Sequence, residues 1–416
     1  MEENERDKGG EVEIWSWGAG TDGQLGTTRL EDEHLPQLLD LPRFSSAGPI
    51  SLLACGGAHV LALTTDGKVV TWGRGTSGQL GHGDMVSSLQ PKHVKLLESF
   101  VMTHVSAGWS HSGFVSDTGC LFTCGDGSFG QLGHGDCKSH CSPVKVSYFD
   151  SKHVDQIACG MRHSLVLLKG TGLSGDQVYG FGSGKRGQLG VSMDNTRSIS
   201  VPQATVGLEG VEIISIDANG DHSAALSALV PGVVNIVYLI NSSSLLLLYL
   251  VPPQKLMGIC TPGEEDLVAL QMFTALGVFL HLCASPKLLL DGITCGGEVF
   301  MLGGNRHGVL GDPQKGSQVK HLSEESREEN LEKVQGLDGL NVVQIAAGAE
   351  HSALNRVIKT WGWGEHGQLG LGNTYDQISP QAVRLGHRLP GQHTMIKVYC
   401  GSGFTFAIIA VIPSQT

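Results

Sequence analysis

The chain has 416 residues, 16% of them charged, and a formal net charge of −12 at pH 7. This acidic balance argues against direct nucleic-acid binding, because phosphate recognition needs clustered lysine and arginine. The first ten residues, MEENERDKGG, predict a disordered tail and lack the apolar core of a signal peptide, so we expect a cytoplasmic or nuclear protein. Glycine contributes 59 residues, about twice its usual share of ~7%.

A glycine-rich string recurs along the chain at an almost even stride. It reads WGAGTDGQLG from Trp17, WGRGTSGQLG from Trp72 and WGWGEHGQLG from Trp361. A period of roughly 50 to 60 residues indicates the blades of a propeller or the turns of a solenoid. Weaker copies of the string begin at Cys124, Phe181 and Leu302.

A second string, which carries a histidine, lies upstream of the first. In the clearest unit the apolar run Val60 to Thr64, the turn Asp66-Gly67 and the run Lys68 to Trp72 predict a β-hairpin. A proline after each glycine-rich string suits an edge strand, so each unit predicts about four antiparallel strands. Catalysis needs an asymmetric constellation, so we interpret the recurring histidines as buried structural groups. They are His59, His111, His163, His222 and His351.

The two ends of the repeat array are out of phase with each other. No histidine string precedes Trp17, and no glycine-rich string follows the last apolar strand, Cys400 to Ile409. We therefore predict that the strand around Phe404 to Ile409 pairs with Glu13 to Trp17 and closes the ring, removing two exposed edges. Blades are assigned to residues 11–228 and 297–410, and residues 411–416 to a C-terminal tail.

Residues 229–296 do not follow the repeat. This stretch contains the run SSSLLLLYLVPP and no blade motif. Three interpretations remain open for it. We favour a foreign hydrophobic insertion that replaces most of one blade, such as translated intron, over a degenerate blade. A membrane hairpin is favoured least, because Pro231, Asn235 and Asn241 interrupt the first uncharged run.

Other motifs carry weaker signals. Cysteines and histidines between Cys120 and Cys141 have the residue types of a zinc site, but Cys124 stands at a tryptophan position of the repeat and His134 belongs to the string QLGHGD. The spacing of GAGTDG from Gly18 fits a phosphate-binding loop without the helix that such a loop needs. We expect no catalytic group, metal or cofactor. Candidate partner-binding loop residues are His82, Asp84, His134, Asp136 and Trp109.

The paired strings, GxxHxxAL followed by WGxGxxGQLG, resemble the repeat of the regulator of chromosome condensation family. The resemblance implies an all-β, seven-bladed propeller, of which six blades are recognisable and the seventh falls at residues 229–296. Variants such as GFGSGKRGQLG at Gly180 and KTWGWGEHGQLGLGN at Lys359 are most similar to the branch that contains the plant ultraviolet-B receptor.

The family resemblance implies three functions. The favoured one is a non-catalytic interaction platform that grips a protein partner through loops on one propeller face. A second is guanine-nucleotide exchange on a small GTPase, although the acidic N-terminus lacks that branch's basic tail. A third, ultraviolet-B reception, requires tryptophans before the repeat histidines of neighbouring blades. Only Trp109 stands in that slot; Gly57, Met161, Gly220 and Ala349 fill the others.

Overall fold

The computed structural model describes the greater part of the chain. The described residues are 12–39, 48–170, 175–191, 198–227, 236–240, 245–249, 279–282, 289–293, 299–303, 306–311, 331–340, 342–355, 357–386 and 394–411. The predicted tail at residues 1–10 and positions 412–416 lie outside them. No helix within these ranges is long and apolar enough to cross a membrane.

The described residues form seven antiparallel sheets of four strands each, the blades of an all-β propeller. Sheet I contains both ends of the chain: β27 (Thr394–Cys400), β28 (Phe404–Val411), β1 (Val12–Gly18) and β2 (Glu33–Leu38). Sheet II contains β3 (Ile50–Cys55), β4 (His59–Thr64), β5 (Val69–Gly73) and β6 (Ser88–His93). Sheet III contains β7 (Met102–Ala107), β8 (His111–Ser116), β9 (Leu121–Gly125) and β10 (His140–Lys145). Sheet IV contains β11 (Val154–Cys159), β12 (His163–Leu168), β13 (Gln177–Ser183) and β14 (Ser198–Ala204).

The remaining three sheets draw on the second half of the chain. Sheet V contains β15 (Ile213–Asn219), β16 (His222–Ser227), β17 (Ile236–Ile240) and β18 (Leu245–Tyr249). Sheet VI contains β19 (Phe279–Leu282), β20 (Leu289–Ile293), β21 (Val299–Gly303) and β22 (Leu331–Lys333). Sheet VII contains β23 (Ile345–Ala347), β24 (His351–Leu354), β25 (Lys359–Gly362) and β26 (Gln377–Ala382). Short 3-10 turns lie at Lys95–Leu97, Ser147–Phe149 and Arg306–Gly308.

The predicted pairing of the terminal strands is confirmed. Strand β1 pairs antiparallel with β28, with Glu13 opposite Ile409 and Trp17 opposite Thr405. The innermost strand of each sheet also contacts that of the next, from β3 through β7, β11, β15, β19 and β23 to β27, and β27 contacts β3. The prolines predicted for edge strands lie in the outermost strands, as Pro36 does in β2 and Pro91 does in β6.

Apolar burial is concentrated between neighbouring sheets rather than in one central core. Trp72 of sheet II, for example, packs edge-on against Phe406 of sheet I, with ring centroids 6.0 Å apart. Glycine permits the sharp turn at the end of β5. Gly73 has φ +97°, and a Cβ there would lie 2.6 Å from the Ala58 carbonyl oxygen.

Where the sequence shows six units, the structure describes seven sheets. Strands β17 to β20 lie within residues 229–296, where β17 and β18 complete sheet V and β19 and β20 join sheet VI. These strands form because apolar extended runs find partners in the sheets. They could not be predicted from the repeat, because this stretch lacks the Trp-Gly and histidine motifs that mark the other blades. The foreign origin of this stretch stays a prediction.

Candidate partner-binding face

The repeat histidines join neighbouring sheets. His59, His111, His163 and His351 are fully buried, and burial lowers the pKa of His59, His163 and His351 to about 3 and that of His111 to about 4. Each Nε2 contacts a hydroxyl oxygen of the next sheet at 2.8 to 3.0 Å. The hydroxyl partners are Ser112, Ser164, Ser223 and Thr405 respectively.

The hydroxyl partners fix the histidine tautomer. Ser112 donates its single proton to the Gln79 backbone carbonyl at 2.7 Å, so its oxygen accepts from His59 Nε2. Ser164 and Thr405 do the same with Gln131 and Gln368. These neutral rings are therefore committed to inter-sheet hydrogen bonds, and their Nδ1 atoms are buried.

The three repeat tryptophans lie at the same seams. Trp17, Trp72 and Trp361 are fully buried. Their indole nitrogens donate to backbone carbonyls of the preceding sheet: Trp17 to Gln368 at 2.9 Å, Trp72 to Gln24 at 2.9 Å and Trp361 to Val309 at 2.6 Å.

The series of histidine–hydroxyl bonds between neighbouring sheets changes at sheet VI. The strand register places Leu289 opposite Gly303, as His59 lies opposite Gly73, so a leucine occupies the histidine position. Within the described residues, the buried Ser352 hydroxyl of sheet VII has no hydrogen-bond partner. His222 of sheet V is only partly buried, and desolvation lowers its pKa.

Two of the predicted partner-binding loops bond inward. His82 Nε2 lies 2.8 Å from Thr71 Oγ1, and His134 Nε2 lies 3.0 Å from Thr123 Oγ1. Both histidines therefore brace their own loops, whereas Asp84 is exposed and Asp136 is partly exposed. Desolvation lowers the pKa of His82 and takes that of His134 to about 4.

The cysteines near His134 form no metal cluster among the residues that the structure describes. Cys124 is buried, its Sγ lies 3.6 Å from the Gln79 carbonyl oxygen, and desolvation raises the pKa of its thiol. This side chain thus replaces the repeat tryptophan at the seam between sheets II and III.

A cavity of about 500 Å³ lies among the innermost strands of six sheets. The turns between the first two strands of six sheets lie at one mouth of this cavity, at residues 56–58, 108–110, 160–162, 220–221, 348–350 and 401–403. A repeat histidine follows the turn in five of these sheets and Phe404 in the sixth, and we call this side the histidine-turn face. Backbone hydrogen bonds link these turns around the mouth, including Gly57 N to Gly108 O at 3.1 Å and Trp109 N to Gly160 O at 3.2 Å. The glycine-rich strings begin on the same side: Gly73 lies opposite His59, and Arg74 N donates to the Ala58 carbonyl oxygen at 2.8 Å.

Trp109 is a large aromatic side chain that lines this mouth, and it is 40% exposed. The adjacent tryptophan slot is occupied by Gly57, where a Cβ would lie 2.5 Å from the Trp109 carbonyl oxygen and 3.1 Å from its ring. The neighbouring backbone is therefore too close to accept a second tryptophan without movement.

Charge is distributed unevenly over the histidine-turn face. Sheet IV carries Arg162, which stacks on Phe129 at 5.0 Å, and Arg186, which pairs with Asp221 at 3.3 Å. On the side of sheets VII and I, carboxylates surround the half-buried ring of Trp363. They belong to Asp32, Glu350, Glu365 and Asp376.

Trp363 lies between two histidines from different sheets. Its ring centroid is 5.9 Å from that of His307 and 5.1 Å from that of His366. His307 contacts Asp376 at 2.6 Å and Glu350 at 3.0 Å, His366 contacts Asp32 at 2.9 Å, and the Trp363 indole donates to Glu365 at 3.2 Å. This group could not be predicted from sequence spacing, because its members come from sheets I, VI and VII.

Both parts of the chain that carry the repeat match models of one protein family. Residues 11–235 match the RCC1-like domain, and residues 296–354 and 360–408 match the regulator of chromosome condensation (RCC1) repeat. The chain belongs to the regulator of chromosome condensation family.

Two relatives whose names give different functions each align with most of this chain. The ultraviolet-B receptor UVR8 of Arabidopsis thaliana is 28% identical over 86% of this chain and 74% of its own length. The secretion-regulating guanine nucleotide exchange factor of Bos taurus is 28% identical over 95% of this chain and 82% of its own. Human HERC3, a probable E3 ubiquitin-protein ligase, is 37% identical, but the aligned part spans 19% of that protein.

Solved structures share the propeller fold. Prp20p from Saccharomyces cerevisiae superposes with a TM-score of 0.72 at 20% identity, covering 97% of this chain and 92% of that one. Human WBSCR16 gives a TM-score of 0.70 at 23% identity, with 97% and 100% covered.

Proposed function

We propose that this protein is a non-catalytic interaction platform that binds a protein partner through its histidine-turn face, in the cytoplasm or nucleus. The observation that carries the proposal is Trp109, an exposed aromatic side chain at the mouth of a cavity of about 500 Å³. Exposed aromatic residues are enriched among the side chains that dominate protein interfaces.

The chemistry of the repeat supports a binding role. Its recurring histidines are buried, neutral and hydrogen-bonded between sheets, which suits a scaffold better than proton transfer. The net charge of −12 favours a protein partner over direct contact with nucleic-acid phosphates.

Site-specific photo-crosslinking tests the choice of face. A photoreactive amino acid replaces Trp109 in one variant and Tyr148, which is 40% exposed on sheet III, in a control variant. We expect one defined adduct from position 109, and competition for it by the untagged chain. One defined adduct from position 148, with none from position 109, would refute the proposal.

Guanine-nucleotide exchange is the second candidate, because a secretion-regulating exchange factor aligns with 95% of the chain. The partner would then be a small GTPase. Nucleotide-release assays against a panel of small GTPases separate the two candidates: acceleration by the chain supports exchange, and an unchanged release rate from a GTPase that binds at position 109 supports the platform.

Ultraviolet-B reception is disfavoured despite the similarity to UVR8. Gly57 and Met161 stand beside Trp109 where a coupled tryptophan cluster would need indoles. We expect no change in oligomeric state on ultraviolet-B illumination during size-exclusion chromatography, and a dimer-to-monomer shift would restore this candidate.

A further inference from the structure

The group around Trp363 forms a second distinctive area on the histidine-turn face. We call Trp363, His366, Glu365, Tyr375 and Asp376 the Trp363 surface. Trp363 is half-buried, Glu365 and Asp376 are exposed, and Tyr375 is 73% exposed. The Tyr375 backbone packs directly against Gly364, the residue after Trp363, where a Cβ would lie 2.3 Å from the Tyr375 carbonyl oxygen.

The surface combines aromatic rings with acidic groups. Every charged side chain shown to bond to the rings of Trp363, His366 and His307 is a carboxylate. Those carboxylates lie at the ring edges, where the indole N–H and imidazole N–H groups are. The potential beside the indole is therefore negative from two sources, the carboxylates and the π-face itself.

Sheet II does not repeat this chemistry. The backbone is shared with sheet II, since Asp376 accepts from Gly364 N at 2.9 Å as the Ser87 hydroxyl does from Gly75 N at 3.1 Å. At the matching positions of sheet II, however, Arg74 replaces Trp363 and Ser77 replaces His366. The turn geometry therefore needs no aromatic residue at the Trp363 position, so local folding does not account for the indole.

A guanidinium suits this combination best among protein cations. It is planar, it stacks on an aromatic face, and its fork of N–H donors engages a carboxylate with two parallel hydrogen bonds. Lysine presents a point charge without the planar fork and loses more hydration when it is partly buried. The acidic charge of the whole chain would also draw a basic segment toward the face.

We propose that the Trp363 surface seats an arginine side chain from a basic segment of the protein partner. This inference rests on the proposed platform function and names the chemistry of its partner. The arginine stacks against the Trp363 indole and donates to Glu365 and Asp376. Trp109, at the cavity mouth, provides a separate apolar contact.

Calorimetric titration of the full chain with a hexa-arginine peptide tests the seat, with hexa-lysine and hexa-glutamate as comparison peptides. The variants are Trp363→Leu and Glu365→Gln. The control is Glu98→Gln, which removes one exposed carboxylate in the loop between β6 and β7. Thermal melts show whether each variant keeps its fold.

We expect hexa-arginine to bind more tightly than hexa-lysine and hexa-glutamate not to bind. Trp363→Leu should weaken hexa-arginine binding about fivefold, and Glu98→Gln should change it by less than about twofold. Equal losses in the Trp363 and Glu98 variants, unchanged binding in Trp363→Leu, or no binding of hexa-arginine would each overturn the inference.

The crosslinking result at position 109 is independent of this titration. Selective hexa-arginine binding without an adduct at position 109 would support the proposal for the Trp363 surface and contradict the proposal that the partner binds at Trp109. An adduct at position 109 without a selective seat would do the reverse.

Discussion

Trp17 donates its indole proton to the backbone carbonyl of Gln368, at 2.9 Å, across 351 residues of sequence. The same carbonyl accepts from Thr405 at 3.0 Å, and Thr405 in turn lies 3.0 Å from His351 Nε2. These three bonds join sheet VII to sheet I, the sheet that both chain ends share. One carbonyl oxygen thus holds residues from the beginning and the end of the repeat array.

Loss of the Trp17 bond should measurably destabilise the protein. Trp17→Phe removes a buried donor and part of a ring that is fully enclosed, and we expect the free energy of unfolding to fall by about 2 kcal/mol. Chemical denaturation measures the change. The matched control is Trp15→Phe, a half-buried ring two positions away that donates to Glu13; it should cost clearly less. Equal costs would show that the Trp17 bond adds nothing beyond ring burial.

Acid should destabilise the propeller well above the pH at which carboxylates titrate. The repeat histidines have a pKa near 3 or 4 when folded, and about 6.5 when unfolded. Below about pH 6.5 the unfolded chain binds more protons than the folded chain, so the free energy of unfolding falls as the pH decreases toward the folded pKa values. Above about pH 6.5 these histidines do not change the free energy of unfolding.

Urea midpoints at pH 7.5 and 5.0 test this expectation. We expect a clear fall at pH 5.0, and a smaller fall in His351→Gln, which removes one of the titrating groups at the expense of some stability at pH 7.5. An unchanged midpoint between the two pH values would contradict the neutral, buried histidines.

The seam between sheets VI and VII should accept a restored histidine. Leu289→His places an imidazole at the register position that matches His59, whose Nε2 bonds to Ser112. Ser352 is the matching hydroxyl of sheet VII, and it has no partner among the described residues. We expect a gain of about 1 kcal/mol in unfolding free energy. The gain should vanish in a Ser352→Ala background, and a gain that persists there would exclude the proposed bond.

The leucine-rich stretch at residues 229–296 supports a prediction about the gene. Its strands complete sheets V and VI, but they lack the punctuation of the other blades. We predict that the main transcript encodes a regular unit there, with an Asp-Gly turn and a Trp-Gly string. Sequencing the message across codons 225–300 measures this directly. A message that encodes the present residues would reject the foreign origin.

Much of the fold follows from the punctuation of the sequence. Trp17, Trp72 and Trp361 mark strands whose indoles need the same carbonyl position, and the phase of the two ends predicts the β1–β28 pair. The Trp363 surface could not be predicted in this way. His366 meets Asp32 across 334 residues, and such neighbours are defined only once the sheets are arranged around the cavity.

An engineered disulfide tests the shared terminal sheet most directly. Val12 and Ala410 are opposite each other in the β1–β28 register, and both are partly exposed. In the double variant Val12→Cys/Ala410→Cys, we predict that oxidation yields a monomeric disulfide between positions 12 and 410, identified by peptide mapping, with a higher melting temperature than the reduced form. Failure to oxidise, or oxidation only between molecules, would contradict a propeller whose two ends share one sheet.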